Sequence, residues 1–320
     1  MTTPAPIPVF LDCDTGVDDS VAIAYLLASP AVDLVGIGTV SGNIDSATAA
    51  RNTLDLLALY GRDDIPVAIG AHDHLSHPYG GGAPWVHGDN GIGGVDLPRS
   101  AREPVAASAH ELLIELSHTH AGRLHLLTIG PVTNIAHALE ADPTLPTRIA
   151  GVTTMGGAAL AAGNISPVAE ANIHNDPEAA AALLGADWDV TLVPLDITVE
   201  HSLDEDDRAA LLAADTPGPR AVGAILDHYF DFYMPLYGRR GCALHDPLAA
   251  AIAAGAITLT RAPRVPVVVD TSQGPGRGQT IADLRGQRLG DRHHEGARTR
   301  VVLEAEGELA PHLIETILRG

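Results

Sequence analysis

The 320-residue chain contains no lysine, and its positive charge comes from 19 arginines alone. This absence excludes a lysine Schiff base and the lysine of a phosphate-binding P-loop. Aspartate and glutamate together number 40, which gives a formal net charge of -21. A chain this acidic is not expected to bind nucleic acid or an anionic membrane as its main partner.

Cysteines, aromatic residues and long apolar runs are also scarce. Two cysteines, Cys13 and Cys242, are too few for a disulfide scaffold and fit a reducing cytoplasm. No apolar run approaches the roughly 18 residues of a membrane span, and residues 1–8 lack the basic start and apolar stretch of a signal peptide. We therefore expect a cytoplasmic location. Aromatic residues make up only 3% of the chain, so aliphatic side chains must form the core.

Apolar, β-rich segments alternate with segments of helical periodicity. This alternation predicts an α/β fold with a mostly parallel central sheet, helices on both of its faces and a single domain spanning residues 1–320. The predicted strands cover residues 9–12, 34–40, 65–69, 124–129, 152–155, 190–195 and 265–269. The predicted helices cover residues 20–27, 46–60, 105–118, 134–140 and 177–184, with a further helical pattern over 226–240. Residues 277–296 are polar and are expected to form surface loops.

Polar or glycine-rich segments follow the predicted strands. They begin at residues 12, 41, 80, 129 and 155. In open parallel sheets, ligands bind outside the carboxyl ends of the strands. The sequence therefore predicts an active site at that edge.

The first of these segments places four aspartates within eight residues, at a predicted strand-to-helix turn. They are Asp12, Asp14, Asp18 and Asp19. Clustered carboxylates repel one another unless a cation joins them, and calcium takes carboxylate and carbonyl oxygens. A solvated helix N-terminus accounts for Asp18 or Asp19, but not for Asp12 and Asp14 at a strand end. We therefore favour a metal or catalytic site.

Two other aspartate motifs match this turn poorly. An EF-hand loop counted from Asp12 requires glutamate at the twelfth position, which is Ile23. The phosphatases of the haloacid dehalogenase family use Asp-x-Asp-x-Thr, whereas the fifth residue here is Gly16.

A second polar pair, His245-Asp246, precedes an alanine-rich helical stretch. An imidazole beside a carboxylate can protonate a leaving group near neutral pH. Alternatively, Asp246 caps a helix whose first residue is Pro247. The two interpretations are compatible.

Other candidate residues carry weaker signals. Hydrogen-bonding side chains between residues 163 and 173 suit the recognition of sugar hydroxyl groups or belong to a polar surface loop. In the glycine-rich loop 80–89, the histidine is expected to be a surface residue. The tryptophan of the same loop either stacks on a planar ligand or packs on the core as a lid residue. Three tyrosines spaced by four residues share one helical face, which is more typical of core packing than of base stacking. The residues are Asn164, Glu170, Asn172, His87, Trp85, Tyr229, Tyr233 and Tyr237. Cys13 is expected to be a small buried residue.

In their order along the chain, these segments resemble the inosine-uridine nucleoside hydrolase family. The aspartate turn, Asp-x-Asp-x-Gly-x-Asp-Asp, is the most specific motif and is complete. The remaining matches are Gly42-Asn43, His87-Gly88, Gly130-Pro131-x-Thr133-Asn134, Met155-Gly156-Gly157, Gly163-Asn164 through Glu170-x-Asn172, residues 176–180 and His245-Asp246-Pro247. The resemblance implies a Rossmann-like fold and calcium-dependent cleavage of ribonucleosides to ribose and free base, through a metal-bound water and an oxocarbenium-like transition state.

The resemblance also implies a role for each matching residue. Calcium would be held by Asp14, Asp19, the carbonyl of Ile129 and Asp246, and Asp14 would accept the proton of the attacking water. Asp12 would support the turn, and His245 would assist departure of the base. The substrate would be bound by Asp18, Asn43, His87, Met155, Asn164, Glu170, Asn172, Tyr229, Tyr233 and Tyr237. Relatives in this family are homodimers or homotetramers, so a homo-oligomer is expected here.

The preference for a nucleobase stays open at this point. His245 differs from the tryptophan found in purine-specific members, and the three tyrosines match neither the broad nor the pyrimidine-preferring type. Two alternatives also remain: hydrolysis of another N-riboside, such as a nicotinamide or modified-base riboside, and calcium-dependent ribose binding without catalysis.

Overall fold

The structure is a computed structural model that describes residues 5–290 and 292–320. Its strands are β1 (Ile7–Cys13), β2 (Val32–Thr39), β3 (Val67–Ile69), β4 (Leu124–Thr128), β5 (Ile149–Met155), β6 (Val190–Val193), β7 (Ser202–Asp204), β8 (Gly241–Ala243), β9 (Leu259–Arg261), β10 (Val267–Val269), β11 (Thr280–Ala282), β12 (Thr299–Val301) and β13 (Glu304–Ala305). Its helices are α1 (Val17–Ala28), α2 (Ser46–Leu59), α3 (Pro84–His87), α4 (Ala109–Thr119), α5 (Thr133–Ala141), α6 (Ala171–Asn175), α7 (Pro177–Gly185), α8 (Leu195–Thr198), α9 (Glu205–Leu212), α10 (Pro217–Tyr237), α11 (His245–Ala253) and α12 (Leu309–Arg319). Residues 1–4, part of the segment assessed for a signal peptide, and residue 291 of the polar tail lie outside the described residues.

Seven parallel strands form the central sheet, in the order β12-β6-β5-β4-β1-β2-β3. From β1 the chain adds β2 and β3 on one side, and β4, β5 and β6 on the other. The direction of winding therefore reverses between β1 and β4. At such a switch point the loops after the two strands separate and leave a crevice for a ligand.

Helices cover both faces of this sheet, as the sequence predicts. The side chains of β1 alternate between two apolar cores because successive residues of a strand point to opposite faces. Val9 and Leu11 pack in the core that includes residues of α1, α10 and α11, whereas Phe10 packs in the core formed with α4, α5 and α7. Cys13 is fully buried, as predicted, and its Sγ lies 3.7 Å from the Gly38 carbonyl oxygen.

Local signals fix the ends of the helices that border the crevice. Helix α1 begins directly after Gly16, with Asp18 and Asp19 in its first turn, where negative charge is favourable. Helix α10 begins at Pro217, whose fixed φ suits the first turn, and ends before Gly238, whose φ of 65° is left-handed.

Some sequence predictions of individual elements are wrong. The predicted strand 265–269 is shorter and pairs in an antiparallel manner with β11, outside the central sheet. The edge strand β12 was not predicted, and the polar tail that was expected to consist of loops contains β11. Helix α10 begins nine residues earlier than the predicted pattern. Among residues 5–290 and 292–320, the structure contains no helix with both the length and the apolar composition needed to span a bilayer.

Candidate active site

The aspartate turn lies at the switch point of the sheet. Asp12 lies within β1 and Asp14 directly follows that strand, while Ile129 directly follows the neighbouring β4. The Ile129 N–H donates to the Asp12 carbonyl at 2.9 Å, which ties the two strand ends together. The Asp12 carboxylate also accepts a 2.8 Å hydrogen bond from Asn134 of α5. Asp12 is therefore placed to support the turn.

Asp19 organises the turn through hydrogen bonds to main-chain groups. Its Oδ1 accepts from the Asp14 N–H at 3.2 Å, and its Oδ2 accepts from the Gly16 N–H at 2.8 Å. The side chain of Asn43, after β2, donates to the same Oδ2 at 3.1 Å. These contacts hold the carboxylate on the rigid start of α1.

The Asp14 carboxylate lies so close to two glycines, Gly42 and Gly130, that a larger residue at either position would collide with it. Its Oδ2 accepts a 2.6 Å hydrogen bond from the Asn43 N–H. A Cβ placed on Gly42 would lie 2.0 Å from Oδ2, and one placed on Gly130 would lie 2.9 Å from Oδ1. The other carboxylate oxygen, Oδ1, is buried and has no hydrogen-bond partner.

Three buried carboxylates bring their oxygens within 4.8 Å of one another: Asp18, Asp19 and Asp246. Burial raises the pKa of Asp18 to about 7 and the pKa of Asp246 well above its usual range, with neighbouring carboxylates adding to the effect. Burial and the charge of Asp19 also raise the pKa of Asp14. The protein alone thus disfavours the simultaneous ionisation of these groups.

This donor set fits a hard divalent cation. Oxygens of Asp14 and Asp18 are buried without a partner, and such oxygens are the ligands that calcium prefers. The Ile129 carbonyl accepts from the Asn172 side chain at 3.1 Å, and a carbonyl oxygen retains a second lone pair. The resemblance implies Asp14, Asp19, Ile129 and Asp246 as ligands, whereas the trio with oxygens within 4.8 Å of one another contains Asp18 in place of Asp14.

His245 is held between two hydroxyl groups rather than by the adjacent carboxylate. Its Nδ1 lies 2.8 Å from Thr198 Oγ1, and its Nε2 lies 2.9 Å from the Tyr233 hydroxyl. Burial lowers the pKa of His245 to about 4, so the imidazole is neutral at pH 7 in the free protein. Helix α11 begins at His245, which places Asp246 in the first turn and makes the predicted N-cap role of Asp246 wrong.

The tyrosines of α10 connect the helix to the carboxylates. Tyr229 is buried and donates from its hydroxyl to Asp18 Oδ2 at 3.2 Å. The rings of Tyr233 and Tyr237 are stacked, with centroids 5.3 Å apart. All three tyrosines line the cavity described below, so this row of side chains both packs within the protein and forms part of the cavity wall.

His87 is buried, which corrects its expected surface location. Its Nδ1 accepts from the Val17 N–H at 3.1 Å, and its ring centroid lies 5.4 Å from that of Tyr229. Burial lowers the pKa of His87 to about 3, so the imidazole is neutral. Since Nδ1 accepts from the Val17 N–H, the ring proton lies on Nε2. Trp85, two residues earlier, lines the cavity and is largely exposed, so it does not pack on the core.

A polar wall faces the aspartates. Glu170 caps α6, and its carboxylate accepts from the N–H groups of Gly157, Asn172 and Ile173 at 2.8 to 3.1 Å. Asn164 Oδ1 accepts from the Ala171 N–H at 3.0 Å. Glu170 is buried, so the expectation of a plain surface loop is wrong for this residue. These bonds orient the polar groups before any ligand is bound.

The aspartates, the tyrosines and the polar wall enclose one cavity of about 580 Å³. Of the predicted site residues, Asp18, Asn43, His87, Ile129, Met155, Asn164, Glu170, Asn172, Tyr229, Tyr233, Tyr237, His245 and Asp246 all line it. Asp14 and Asp19 lie behind the lining and touch it through Asn43. Among the described residues that line the cavity, none is an arginine.

Sequence reasoning missed several residues of this site. Thr198 holds His245, and Val199, Phe232 and Leu236 complete the cavity wall. A single threonine or aliphatic residue forms no recognisable sequence motif, so Thr198 and Val199 could not be found from the sequence. Phe232 and Leu236 could have been found, because both lie within the helical pattern 226–240 that contains the tyrosine row.

The chain matches a family model described as inosine-uridine preferring nucleoside hydrolase over residues 9–309. Probable uridine nucleosidase 2 of Arabidopsis thaliana is 34% identical over 282 residues, which cover 88% of this chain and 84% of that protein. The pyrimidine-specific ribonucleoside hydrolase RihA of Escherichia coli is 36% identical over 246 residues, which cover 77% of this chain and 78% of that protein.

Two solved structures share the whole fold. A plant nucleoside hydrolase, the PpNRh1 enzyme, superposes with a TM-score of 0.88 at 30% identity, covering 98% of both chains. A purine-preferring ribonucleoside hydrolase from Gardnerella vaginalis gives a TM-score of 0.87 at 33% identity, covering 98% of this chain and 97% of that one.

Proposed function

This chain belongs to the inosine-uridine preferring nucleoside hydrolase family, and on that premise we propose that it hydrolyses the N-glycosidic bond of ribonucleosides with the help of bound calcium. The products are ribose and the free base. The observation that carries the proposal is the group of buried carboxylates at the switch point, beside a cavity lined by hydrogen-bonding side chains.

The charge of the site suits this reaction. Cleavage of a glycosidic bond passes through an oxocarbenium-like sugar cation, which nearby negative charge stabilises. Five carboxylates lie at the site, those of Asp14, Asp18, Asp19, Glu170 and Asp246, and among the described residues no cavity-lining arginine opposes them. The same field disfavours a phosphate group, so nucleosides are expected as substrates in preference to nucleotides.

Asp14, Asp19, Asp246 and the Ile129 carbonyl would hold the cation, with Asp18 beside them. When bound, a divalent cation acts as a Lewis acid and lowers the pKa of water. The partnerless Oδ1 of Asp14 is the atom that accepts the proton of the attacking water as the water oxygen bonds to the anomeric carbon.

The polar wall positions the sugar. Asp18, Asn43 and Asn164 present carboxylate or amide groups to the cavity, as do Glu170 and Asn172. A fixed set of hydrogen bonds to ribose hydroxyl groups aligns the anomeric carbon with the attacking water. Met155 and His87 pack the remaining surface around the sugar.

The leaving base is assigned to the other end of the cavity, beside His245 and the tyrosines. His245 is neutral and is hydrogen-bonded to Tyr233, so this pair donates one proton to the departing nitrogen of the base as the C–N bond breaks, and it regains a proton from solvent after the base leaves. We include both uridine and inosine as substrates, because the named relatives comprise uridine nucleosidases and a purine-preferring hydrolase.

The direct test is to incubate the purified protein with uridine, cytidine and inosine and to measure free ribose. Ribose release that stops with chelator and returns with calcium supports the proposal. Absence of ribose from every nucleoside, with calcium present, would overturn it. Asp14→Ala is expected to lower turnover to background, while Asp283→Ala, at a surface ion pair with Arg285, serves as a matched control that keeps full activity.

A non-catalytic ribose-binding protein would differ in this test by binding nucleoside without releasing base.

The quaternary structure is part of the same proposal: by analogy with the family, the chain forms a homodimer or homotetramer. Sedimentation velocity at assay concentration measures it, and a monomer would contradict this part alone.

A further inference from the structure

A loop over residues 158–164 leads from the end of β5 to the polar wall, and one carboxylate outside the cavity holds its middle. Ala161 and Asn164 of this loop line the cavity. Asp196, in the first turn of α8, accepts hydrogen bonds from the N–H groups of residues 159–161, at 2.8, 2.7 and 3.2 Å in that order. Asp196 itself is not among the described residues that line the cavity.

The middle of the loop depends on this carboxylate more than its start does. At the start, the Gly157 carbonyl accepts from the Leu195 N–H at 2.9 Å, which ties the loop to the main chain of α8. Across the residues that the structure describes, the N–H groups of residues 158–162 have no hydrogen-bond acceptor other than Asp196. The carboxylate therefore sets the path along which the loop reaches Asn164.

Given the function proposed above, we propose that Asp196 is a positioning residue for nucleoside hydrolysis, because it holds the loop in the shape that brings the Asn164 side chain to the ribose. An ionised acceptor forms shorter and stronger hydrogen bonds to N–H groups than a neutral acceptor does. Thr198, two residues further along α8, lies 2.8 Å from Nδ1 of His245. One short helix thus positions groups at the sugar end and at the base end of the cavity.

Loss of the Asp196 carboxylate is expected to free the loop without unfolding the protein. Leu160 is 67% exposed, so water can hydrogen-bond to the N–H groups that the carboxylate releases. The free loop samples several conformations, and each binding event has to order it again, which costs conformational entropy. The bound complex is the same as in the wild type, so the cost appears in KM and not in kcat. If the cost equals that of ordering one residue, KM rises about 5- to 30-fold.

The experiment measures KM and kcat for uridine in the variant Asp196→Asn. The amide keeps the shape of the side chain, but its NH2 group cannot accept from an N–H. We expect KM to rise about 5- to 30-fold and kcat to stay within about threefold of the wild-type value. Calcium affinity in calorimetry should not change, because the hydrogen bonds of Asp196 do not reach the aspartate turn. A KM within about twofold of the wild-type value would overturn the proposal.

Asp204→Asn is the matched control. Asp204 is partly exposed, as is Asp196, and its Oδ1 accepts from the N–H groups of Asp206 and Asp207 at 3.0 and 3.2 Å, at the start of α9. This variant should keep the wild-type KM, and a rise equal to that in Asp196→Asn would refute a specific role. Asp196→Ser also lacks the charge and one acceptor oxygen and should raise KM as well. The two variants at this position decide the question even if one of them does not fold.

A double-mutant cycle with Asn164→Ala separates positioning from general stabilisation. Without the Asn164 side chain the loop no longer binds the ribose, so the order of the loop no longer affects KM. Addition of Asp196→Asn to Asn164→Ala should therefore change KM by less than about twofold. Losses that multiply in the double variant would refute the positioning role, and so would a wild-type KM in Asn164→Ala alone.

Two outcomes distinguish failure of this role from failure of the function on which it rests. If the wild-type protein releases no ribose from any nucleoside, the proposed function fails and the role of Asp196 fails with it. If the wild type is active and Asp196→Asn has the same KM, only the role of Asp196 fails.

Discussion

Replacement of Gly42 by alanine is expected to inactivate the enzyme by moving one carboxylate. Gly42 does not have a positive φ, so its backbone conformation accepts alanine. The new Cβ would nevertheless lie 2.0 Å from Asp14 Oδ2 and 2.7 Å from Pro131 Cδ. Ordinary contact begins near 3.4 Å, so the carboxylate has to move by about 1.4 Å.

A displacement of about 1 Å at a reacting group can lower the rate about 100-fold. The same movement disrupts the 2.6 Å hydrogen bond from the Asn43 N–H to Asp14. We therefore expect Gly42→Ala to lower kcat for uridine at least 100-fold and to weaken calcium binding in calorimetry. The loss of stability is expected to be modest, about 1–3 kcal/mol for an overpacked site.

Gly185→Ala is the matched control, because a Cβ at the end of α7 meets nothing within 4 Å. This variant should keep full activity and calcium affinity. Both proteins should show the circular dichroism of the wild type. Unchanged kcat and calcium affinity in Gly42→Ala would refute the placement of Asp14 at the reacting centre.

Further predictions concern the pH dependence, the tyrosine row and the support of His245. Burial raises the pKa of Asp18 from 3.8 to about 7, so its contribution to the stability of the metal-free protein is complete below about pH 4 and is lost as the pH rises through about 7. Without metal, the Tm should therefore fall between about pH 4 and pH 7. The increase in Tm caused by calcium should grow over the same pH range. A Tm that does not change with pH in the presence of chelator would contradict this. Tyr229→Phe removes the hydroxyl that donates to Asp18 and should cost about 1 kcal/mol in the free energy of unfolding and raise the pKa of Asp18 further. Thr198→Val leaves Nδ1 of His245 without its partner and should lower kcat with little change in KM, whereas Thr198→Ser should restore kcat; equal losses in both variants would indicate a packing role only.

The position of the inner half of the site, at one edge of the sheet, is predictable from the sequence because its signals are local. A short apolar run followed by Asp12, Asp14 and Gly16 specifies a strand, a turn and a helix start within a few residues. The alternation of strands and helices then places every polar loop at the same edge of the sheet. No long-range information is needed for either conclusion.

The outer half depends on contacts between residues far apart in sequence. His87 is buried because the start of α1 and helix α10 both pack against it, and its partner Val17 is 70 positions away. Thr198 meets His245 across 47 positions, and neither α8 nor α11, the helices that carry them, indicates this pairing. The edge strand β12 consists of three residues, which is too short for a periodic pattern to reveal.

The central claim is that the aspartate turn and Asp246 hold one cation that presents ribose to Asp14. A crystal structure with calcium and a ribose-like inhibitor tests it most directly. The account predicts one calcium ion at about 2.3–2.6 Å from oxygens of Asp14, Asp19, Ile129 and Asp246, with the inhibitor hydroxyl groups between it and Asn164, Glu170 and Asn172. A calcium ion elsewhere, or an inhibitor bound with its sugar portion at the opening of the cavity beside Trp85 and Leu236, would contradict the account.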